Sequence, residues 1–189
     1  FFKNLDELKI KYAVWKNINS LDLSFNGLFN FDLYVSLDDY KKFHNLAKSQ
    51  KLIKLNNQIN KIKFIEHFYI LGKNNKIFHI HVYYKIITGE SFLKEYELPL
   101  EDLILRNKIR HKYYDIWIIN DELNAYIFII RHFLKTGSLI SRNLYLKDIK
   151  KYTSEWNSIS NKKKESFKNF PFLNSSILEK SNLFNNNFK

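Results

Sequence analysis

Two β-rich runs separated by a short turn sequence limit the fold more than any other feature of this chain. Residues 63–71 and 76–84 are dominated by aromatic and β-branched side chains, and Gly-Lys-Asn-Asn lies between them at 72–75. Strand-forming runs on either side of glycine and asparagine predict a β-hairpin. The chain is therefore expected to contain an antiparallel pair of strands within a sheet.

The register of that hairpin would decide which polar side chains meet. With a turn of two or four residues, opposed positions carry numbers whose sum is odd. Glu66 would then share one face with His79, His81 and Tyr83. A His-x-His pair facing a carboxylate can bind Zn²⁺ or another late first-row metal, and it can equally be a hydrogen-bonded polar face.

The rest of the chain predicts an α/β (α+β) domain built on a small mixed sheet and followed by a helical half. Apolar periodicity predicts further strands at 12–15, 29–35, 51–55 and 114–118 and helices at 4–11, 36–47, 100–108 and 122–135. Gly137 is suited to end the last of these helices. We therefore expect one domain over residues 1–137 and a basic helical C-terminal extension over residues 138–189.

Composition excludes several classes of function. The 189 residues contain no cysteine, which excludes a disulfide scaffold, a thiolate zinc site and a cysteine nucleophile. No apolar run approaches the roughly 20 residues that span a bilayer, so we expect a cytoplasmic protein without a membrane span, or a piece of a larger one. The net charge of +12 is spread along the chain. It indicates either an anionic partner or the lysine-rich composition of an AT-rich genome.

Residues 26–35 carry the clearest functional motif. Their sequence, NGLFNFDLYV, resembles the signature of the nucleotidyltransferase superfamily typified by DNA polymerase β. In that signature a glycine loop leads into a strand with Asp-x-Asp, and a third carboxylate comes from a neighbouring strand. Side chains at i and i+2 share one face of a strand. Two carboxylates there can hold Mg²⁺ ions that clamp a nucleoside triphosphate for attack by a hydroxyl.

Other segments extend the resemblance to bacterial nucleotidyltransferase-like proteins, some of them encoded with polysaccharide-biosynthesis genes. These segments are 11–17, 78–83, 88–90, 98–101 and 116–135. The resemblance implies the sheet topology of that superfamily, followed by a helical half. It also implies transfer of a nucleoside monophosphate from a nucleoside triphosphate to the hydroxyl of a small molecule, such as a sugar or sugar phosphate.

The chain departs from the signature at the positions that carry the chemistry. The first aspartate is replaced by Asn30, the third carboxylate falls on His81, the loop serine is Phe29 and the glycine after the first strand is Asn17. Asp32 alone remains of three acids. An asparagine oxygen can coordinate Mg²⁺ without charge, whereas histidine is a poor ligand for that hard ion.

Within the resemblance, each candidate residue has an expected role. The expected metal ligands are Asp32, Asn30, His81 and Glu66, of which Asp32 and His81 are also the catalytic candidates. The expected nucleotide or phosphate contacts are Gly27, Lys16, Asn30, Arg131 and Lys135. The implied cofactor is Mg²⁺, with Zn²⁺ or Mn²⁺ as alternatives because imidazole suits late first-row metals. His81 is alternatively a general base, since imidazole titrates near neutral pH.

Several functional hypotheses follow and stay open at this point. In the first, an altered metal site still transfers a nucleotidyl group from a nucleotide to a small-molecule acceptor. In the second, the domain is non-catalytic and binds a nucleotide, a sugar phosphate or a protein partner. In the third, the motif is a chance match on an α/β domain. Nucleic acid is a less favoured partner, because lysine outweighs arginine throughout and only the run at 162–164 is strongly basic.

Overall fold

The structure is a computed structural model that describes residues 1–56, 62–72, 75–89, 94 and 96–134; the side chains of His132 and Phe133 are not described. Lys135, the predicted domain end at 137 and the predicted extension over 138–189 lie outside the described residues. The predicted division into two domains therefore stays a prediction.

A seven-stranded mixed sheet forms the centre of the described domain, which confirms the predicted α/β class. The strand order is β3-β4-β5-β2-β1-β9-β8, and β6 and β7 form a separate two-stranded sheet. The strands are β1 Tyr12–Lys16, β2 Phe31–Val35, β3 Ile53–Lys54, β4 Ile65–Leu71, β5 Ile77–Tyr83, β6 Ile86–Thr88, β7 Tyr96–Leu98, β8 Lys108–Arg110 and β9 Trp117–Ile119. The central strand β2 is antiparallel to β1 and parallel to β5.

Five α-helices accompany the described part of the sheet. They are α1 Phe2–Glu7, α2 Leu21–Phe25, α3 Tyr40–Ser49, α4 Glu101–Arg106 and α5 Asp121–Leu134. The predicted helix over 122–135 is confirmed as α5 up to its last described residue. The helix α2 and the strands β6 and β7 lie outside the predicted elements, and β8 begins at Lys108, the last residue of the predicted helix over 100–108. Of the described helices, none combines the length and the apolar character needed to cross a membrane.

One face of the central strands is apolar and is covered by α1 and α3. Phe31, Ile80 and Phe68 are paired in one row across β2, β5 and β4. The ring of Phe2 in α1 lies 5.2 Å from Phe31, and the ring of Phe43 in α3 lies 5.5 Å from Phe68. Because side chains alternate along a strand, the neighbouring rows point to the opposite face.

The hairpin register differs from the predicted one. Leu71 pairs with Ile77, so five residues separate the strands and opposed positions sum to an even number. Glu66 is opposite Val82, and the prediction that Glu66 shares a face with His81 is wrong. An odd connection shifts the pairing by one residue, which exchanges the faces of a whole strand. His67 takes the position opposite His81 instead.

A β-bulge in β1 turns Lys16 toward the polar face. Val14 pairs with Leu33, yet Lys16 pairs with Asp32, so the register shifts by one residue between them. In an unbroken ladder Lys16 would be opposite Phe31 and would face α1 and α3. A bulge sets two residues of one strand against one of its neighbour and re-aims the side chains. Trp15 and Lys16 therefore both lie on the side of Asp32.

Candidate functional site

The polar face holds one row of ionisable side chains across four adjacent strands. Lys16, Asp32, His81 and His67 are successive partners along β1, β2, β5 and β4. The Lys16 ammonium lies 3.1 Å from Oδ1 of Asp32, and Nδ1 of His81 lies 3.3 Å from the same oxygen. The structure thus brings together three of the residues predicted from the sequence.

Asn17 completes the surroundings of the Asp32 carboxylate. Its side-chain amide donates a hydrogen bond of 2.5 Å to Oδ2 of Asp32. The backbone of Asn17 is left-handed, with φ 58° and ψ 27°, a conformation that asparagine tolerates better than most residues. Oδ2 therefore accepts a hydrogen bond, whereas Oδ1 lies near the Lys16 and His81 nitrogens but has no hydrogen-bond partner among the described residues. The Asp32 side chain is only 2% exposed.

The electrostatics of the row favour a charged carboxylate beside a neutral imidazole. Burial alone would raise the pKa of Asp32, but the Lys16 ammonium and the neighbouring His81 ring outweigh burial and hold that pKa below its ordinary value. Burial lowers the pKa of His81 to about 4, although the neighbouring Asp32 carboxylate acts in the opposite direction. His81 is accordingly neutral at pH 7.

Lys16 is a buried cation held by one carboxylate, one hydroxyl and two aromatic rings. Its ammonium donates a 2.5 Å hydrogen bond to the hydroxyl of Tyr83 and lies 4.9 Å from the ring centroid of Trp15 and 4.3 Å from that of Tyr83. Burial lowers the pKa of Lys16, and the neighbouring Asp32 carboxylate opposes that effect. An ammonium has three N–H donors, and the described hydrogen bond and ion pair account for two.

Two further cations act on this face. The Arg131 guanidinium in α5 lies 5.9 Å from the ring centroid of Trp15, and its charge lowers the pKa of Lys16 further. The charge of Lys94 acts in the same direction on Lys16 and on His67. Arg131 is thus near the site, as predicted, whereas the predicted phosphate contact Lys135 lies outside the described residues. Lys94 was not among the phosphate contacts predicted from the sequence.

Five neighbouring rings continue the row toward β4, and we call them the ring ladder; four of them are stacked, and the fifth is tilted. They are, in order, Tyr69, His79, His67, His81 and Tyr83. Successive centroids lie 4.7, 5.1, 4.1 and 4.4 Å apart, and Nδ1 of His67 lies 2.9 Å from Nε2 of His79. His67 and Tyr69 were not predicted as site residues. The predicted turn of two or four residues would have placed them on the opposite face of the sheet, whereas the five-residue connection brings them to this one.

Two further residues predicted as phosphate contacts, Gly27 and Asn30, lie in the segment that leads into β2. Gly27 has a φ of +75°, and a Cβ there would come within 3.0 Å of the carbonyl oxygen of Ile77. Its lack of a side chain thus serves the packing of the loop on β5. Asn30 precedes the first residue of β2, and its carbonyl accepts a 3.1 Å hydrogen bond from Ser24. Contact of either residue with phosphate stays a prediction.

A comparison with solved structures identifies the fold. The chain is similar to the crystal structure of an antigenic nucleotidyltransferase-like protein from Paracoccidioides brasiliensis, with a TM-score of 0.51 and 16% sequence identity over 81% of this chain and 72% of that chain. The fold is nucleotidyltransferase-like. At this identity the likeness concerns the fold alone. No family model matches the chain, and no curated protein matches it either.

The described residues do not fit the magnesium site that this fold implies. Magnesium requires near-octahedral oxygen coordination, supplied in such sites by carboxylates and phosphates. Here Asp32 is the one carboxylate of the row, and the Lys16 ammonium already lies on one of its oxygens. Within the described ranges, no three His, Asp or Glu side chains are arranged to hold a metal ion. Mg²⁺, Zn²⁺ and Mn²⁺ therefore stay predictions, and no chemical step is derived through a metal.

Glu66 belongs to a different cluster on the opposite face. Its carboxylate lies 2.8 Å from Nε2 of His44 and 2.6 Å from the Lys54 ammonium, and it accepts a 2.9 Å hydrogen bond from Tyr84. The prediction that Glu66 joins Asp32 and His81 as a metal ligand is therefore corrected. The register that places His67 on the polar face places Glu66 on the opposite face.

Proposed function

We propose that the chain is a non-catalytic nucleotidyltransferase-fold domain that binds a nucleotide or another phosphate-bearing small molecule without a divalent cation. The observation that carries this proposal is the 3.1 Å contact between the Lys16 ammonium and the Asp32 carboxylate. A fixed internal cation beside the carboxylate provides the positive charge that a metal ion otherwise brings to a phosphate. The predicted cytoplasmic location, bacterial source and role in polysaccharide biosynthesis stay predictions.

The charges around the row support an anionic ligand. Among the described groups, Lys16, Arg131 and Lys94 are the cations that act on this face, and Asp32 is the carboxylate opposed to them. A phosphate group beside these cations would find complementary charge here. The aromatic surroundings of Lys16 limit its hydration and strengthen its interaction with an anion.

The site offers weaker support for nucleotidyl transfer, the other function predicted from the sequence. That reaction relies on metal ions that bridge the phosphates and neutralise the charge that develops. Transfer here would require Asp32 to exchange the Lys16 ammonium for a metal ion, with Asn30 and His81 in place of two carboxylates. Transfer to a sugar or sugar phosphate is therefore the alternative against which the proposal is tested.

Calorimetry with each nucleoside triphosphate tests the proposal, with Mg²⁺, with Mn²⁺ and with EDTA. We expect binding in all three conditions with similar affinity. Lys16→Met should weaken it by about tenfold or more, because a hydrogen bond to a charged group contributes about 1.5–3 kcal/mol. Lys41→Met is the matched control, since Lys41 is exposed on α3 and lies across the sheet; its affinity should equal that of the parent.

Two results would overturn the proposal. Binding that requires a divalent ion, together with pyrophosphate release in the presence of a sugar or sugar phosphate, would establish the catalytic alternative. If neither a nucleotide nor inorganic phosphate binds in any of the conditions, the proposed class of ligand is wrong. RNA binding that falls steeply with salt and is unaffected by Lys16→Met would indicate nucleic-acid binding elsewhere on the basic surface.

A further inference from the structure

The polar face of the sheet becomes apolar at its outer strands β3, β4 and β5. Ile53 pairs with Tyr69 and Leu71 pairs with Ile77, and directly opposed side chains point to the same side of a sheet. Because side chains alternate along a strand, Tyr69 and Leu71 also share that side, and Leu55 shares it with Ile53. We call the surface formed by these five side chains the outer sheet face.

The aliphatic side chains of the outer sheet face are largely exposed. Ile53 is 70% exposed, Leu71 66%, Ile77 60% and Leu55 48%. The other side of the same strands is covered by α3, where the ring of Phe43 lies against that of Phe68. Single exposed leucines and isoleucines are normal on protein surfaces, whereas a contiguous group of them marks a contact surface.

The loop before β2 extends this surface. A Cβ on Gly27 would come within 3.0 Å of the carbonyl oxygen of Ile77, so the loop lies directly against the start of β5. The next residue, Leu28, is 71% exposed. Extending the parallel register of β2 and β5, in which Phe31 pairs with Ile80, places Leu28 beside Ile77. The exposed apolar surface therefore reaches from β3 to the start of β2.

The charge of the outer sheet face determines which partner fits it. Its five side chains include no charged group, and burial lowers the pKa of the neighbouring His67 and His79, which keeps both rings neutral at pH 7. Lys54 in β3 lies on the other side of the sheet, where its ammonium contacts Glu66. An acidic partner attracted by the net charge of +12 would find no cation within this face to pair with. An uncharged apolar surface is the complementary one, and a second copy of the chain presents it.

We infer that two copies of the chain associate through the outer sheet face. In an interface with twofold symmetry both copies use the same patch. Because the centre of this patch is uncharged, no like charges meet there, although each copy has a net positive charge. Association would remove the exposed aliphatic side chains from water, which is the main driving force for most protein association. The inference does not depend on phosphate binding beside Lys16.

Sedimentation velocity of the full chain over a wide range of protein concentration tests the inference. We expect a reversible equilibrium between monomer and dimer. Leu71→Asp and Ile77→Asp should each weaken the dimer by about tenfold or more, because each removes an aliphatic side chain from the interface and leaves an unpaired carboxylate there. Both side chains are more than half exposed in the single copy, so the urea midpoint of the monomeric form should stay close to that of the parent.

Ile109→Asp is the matched control. Ile109 is also an exposed isoleucine on a strand, 44% exposed in β8 at the opposite edge of the same sheet. This variant should dimerise as the parent does. A dimer that persists in both Leu71→Asp and Ile77→Asp, or that is lost in Ile109→Asp instead, would overturn the inference.

The absence of cysteine from the chain allows a second measurement. With Ile77→Cys, the introduced thiols of two copies should be joined by a flexible bismaleimide, whereas Ile109→Cys should stay uncrosslinked. A parent protein that is monomeric at every concentration would overturn the inference. The thiol of Ile77→Cys would then show what occupies the face instead: protection from a maleimide would indicate another part of the same chain, and free reaction would leave the face to a different protein.

Discussion

The two faces of the central sheet carry two clusters with nearly the same chemistry and different burial. Asp32 is surrounded by Lys16, His81 and Asn17, and its lysine is 9% exposed. Glu66 on the opposite face contacts Lys54, His44 and Tyr84, and its lysine is 40% exposed. Each is a single carboxylate that contacts one lysine, one histidine and one neutral donor.

Burial determines what each cluster contributes. The Glu66 cluster is partly in water, where ion pairs are screened and contribute little to stability. The Asp32 cluster is enclosed, so its charges depend on one another and loss of either partner leaves an uncompensated buried charge. Similar residue types thus form a surface network on one face and a candidate ligand site on the other. The predictions below test this difference, from the largest effect to the smallest.

Asp32→Ala should cause the largest loss of stability. It leaves the buried Lys16 ammonium without its carboxylate, and we expect a loss of about 3–5 kcal/mol in the free energy of unfolding. Urea denaturation measures this change. The double variant Lys16→Met/Asp32→Leu removes both charges and should recover most of the loss, whereas a double variant no more stable than Asp32→Ala would show that the pair does not depend on charge compensation.

Acidification should destabilise the protein through His81. Its folded pKa of about 4 lies below the ordinary value of 6.5, so the unfolded chain binds more protons between these values. Stability is therefore fully present above pH 6.5 and falls toward pH 4, by an amount on the order of 3 kcal/mol. Urea denaturation across this range measures the fall. His81→Gln should flatten it, and an equally steep profile in that variant would assign the effect to other groups.

Glu66→Gln should have a smaller effect than any change at Asp32. The amide still accepts a hydrogen bond from Tyr84, while Lys54 and His44 can turn toward water. We expect a loss of about 1 kcal/mol in unfolding free energy. Denaturation under the conditions used for Asp32→Ala gives the comparison directly, and equal losses in the two variants would contradict the proposed difference between the faces.

Lys54→Met should have the smallest effect. The Lys54 side chain is 40% exposed, so its 2.6 Å contact with Glu66 is screened by solvent. We expect a change of about 0.5 kcal/mol or less, which disappears at high salt. Thermal denaturation at low and high ionic strength measures it. A salt-independent loss as large as that of Asp32→Ala would show that this pair behaves as a buried one.

The sequence predicts much of the fold because the elements that carry it have strong periodic patterns. The hairpin strands and the helix α5 follow their predicted ranges closely, and the resemblance correctly places Asp32 and His81 on neighbouring strands. Short edge elements are less visible. Residues 108–110 were not predicted as a strand, because three residues show no periodicity of their own and β8 is defined by its pairing with β9.

The candidate site was only partly predictable, because it depends on two irregularities of backbone register. The connection between Leu71 and Ile77 brings His67 to the polar face and sends Glu66 to the other. The bulge after Val14 brings Lys16 onto Asp32. Both are one-residue shifts that leave composition and hydrophobic pattern unchanged, so residue types alone cannot reveal them.

The bulge in β1 also has a consequence for protein engineering. A regular strand delivers every second side chain to a given face, whereas β1 delivers the adjacent residues Trp15 and Lys16 to the same one. Two residues that are adjacent in the sequence therefore supply both the indole ring and the ammonium group beside it. Grafting this site onto another mixed sheet would require copying the irregular backbone together with the side chains, since the same residues on an ideal strand would point apart.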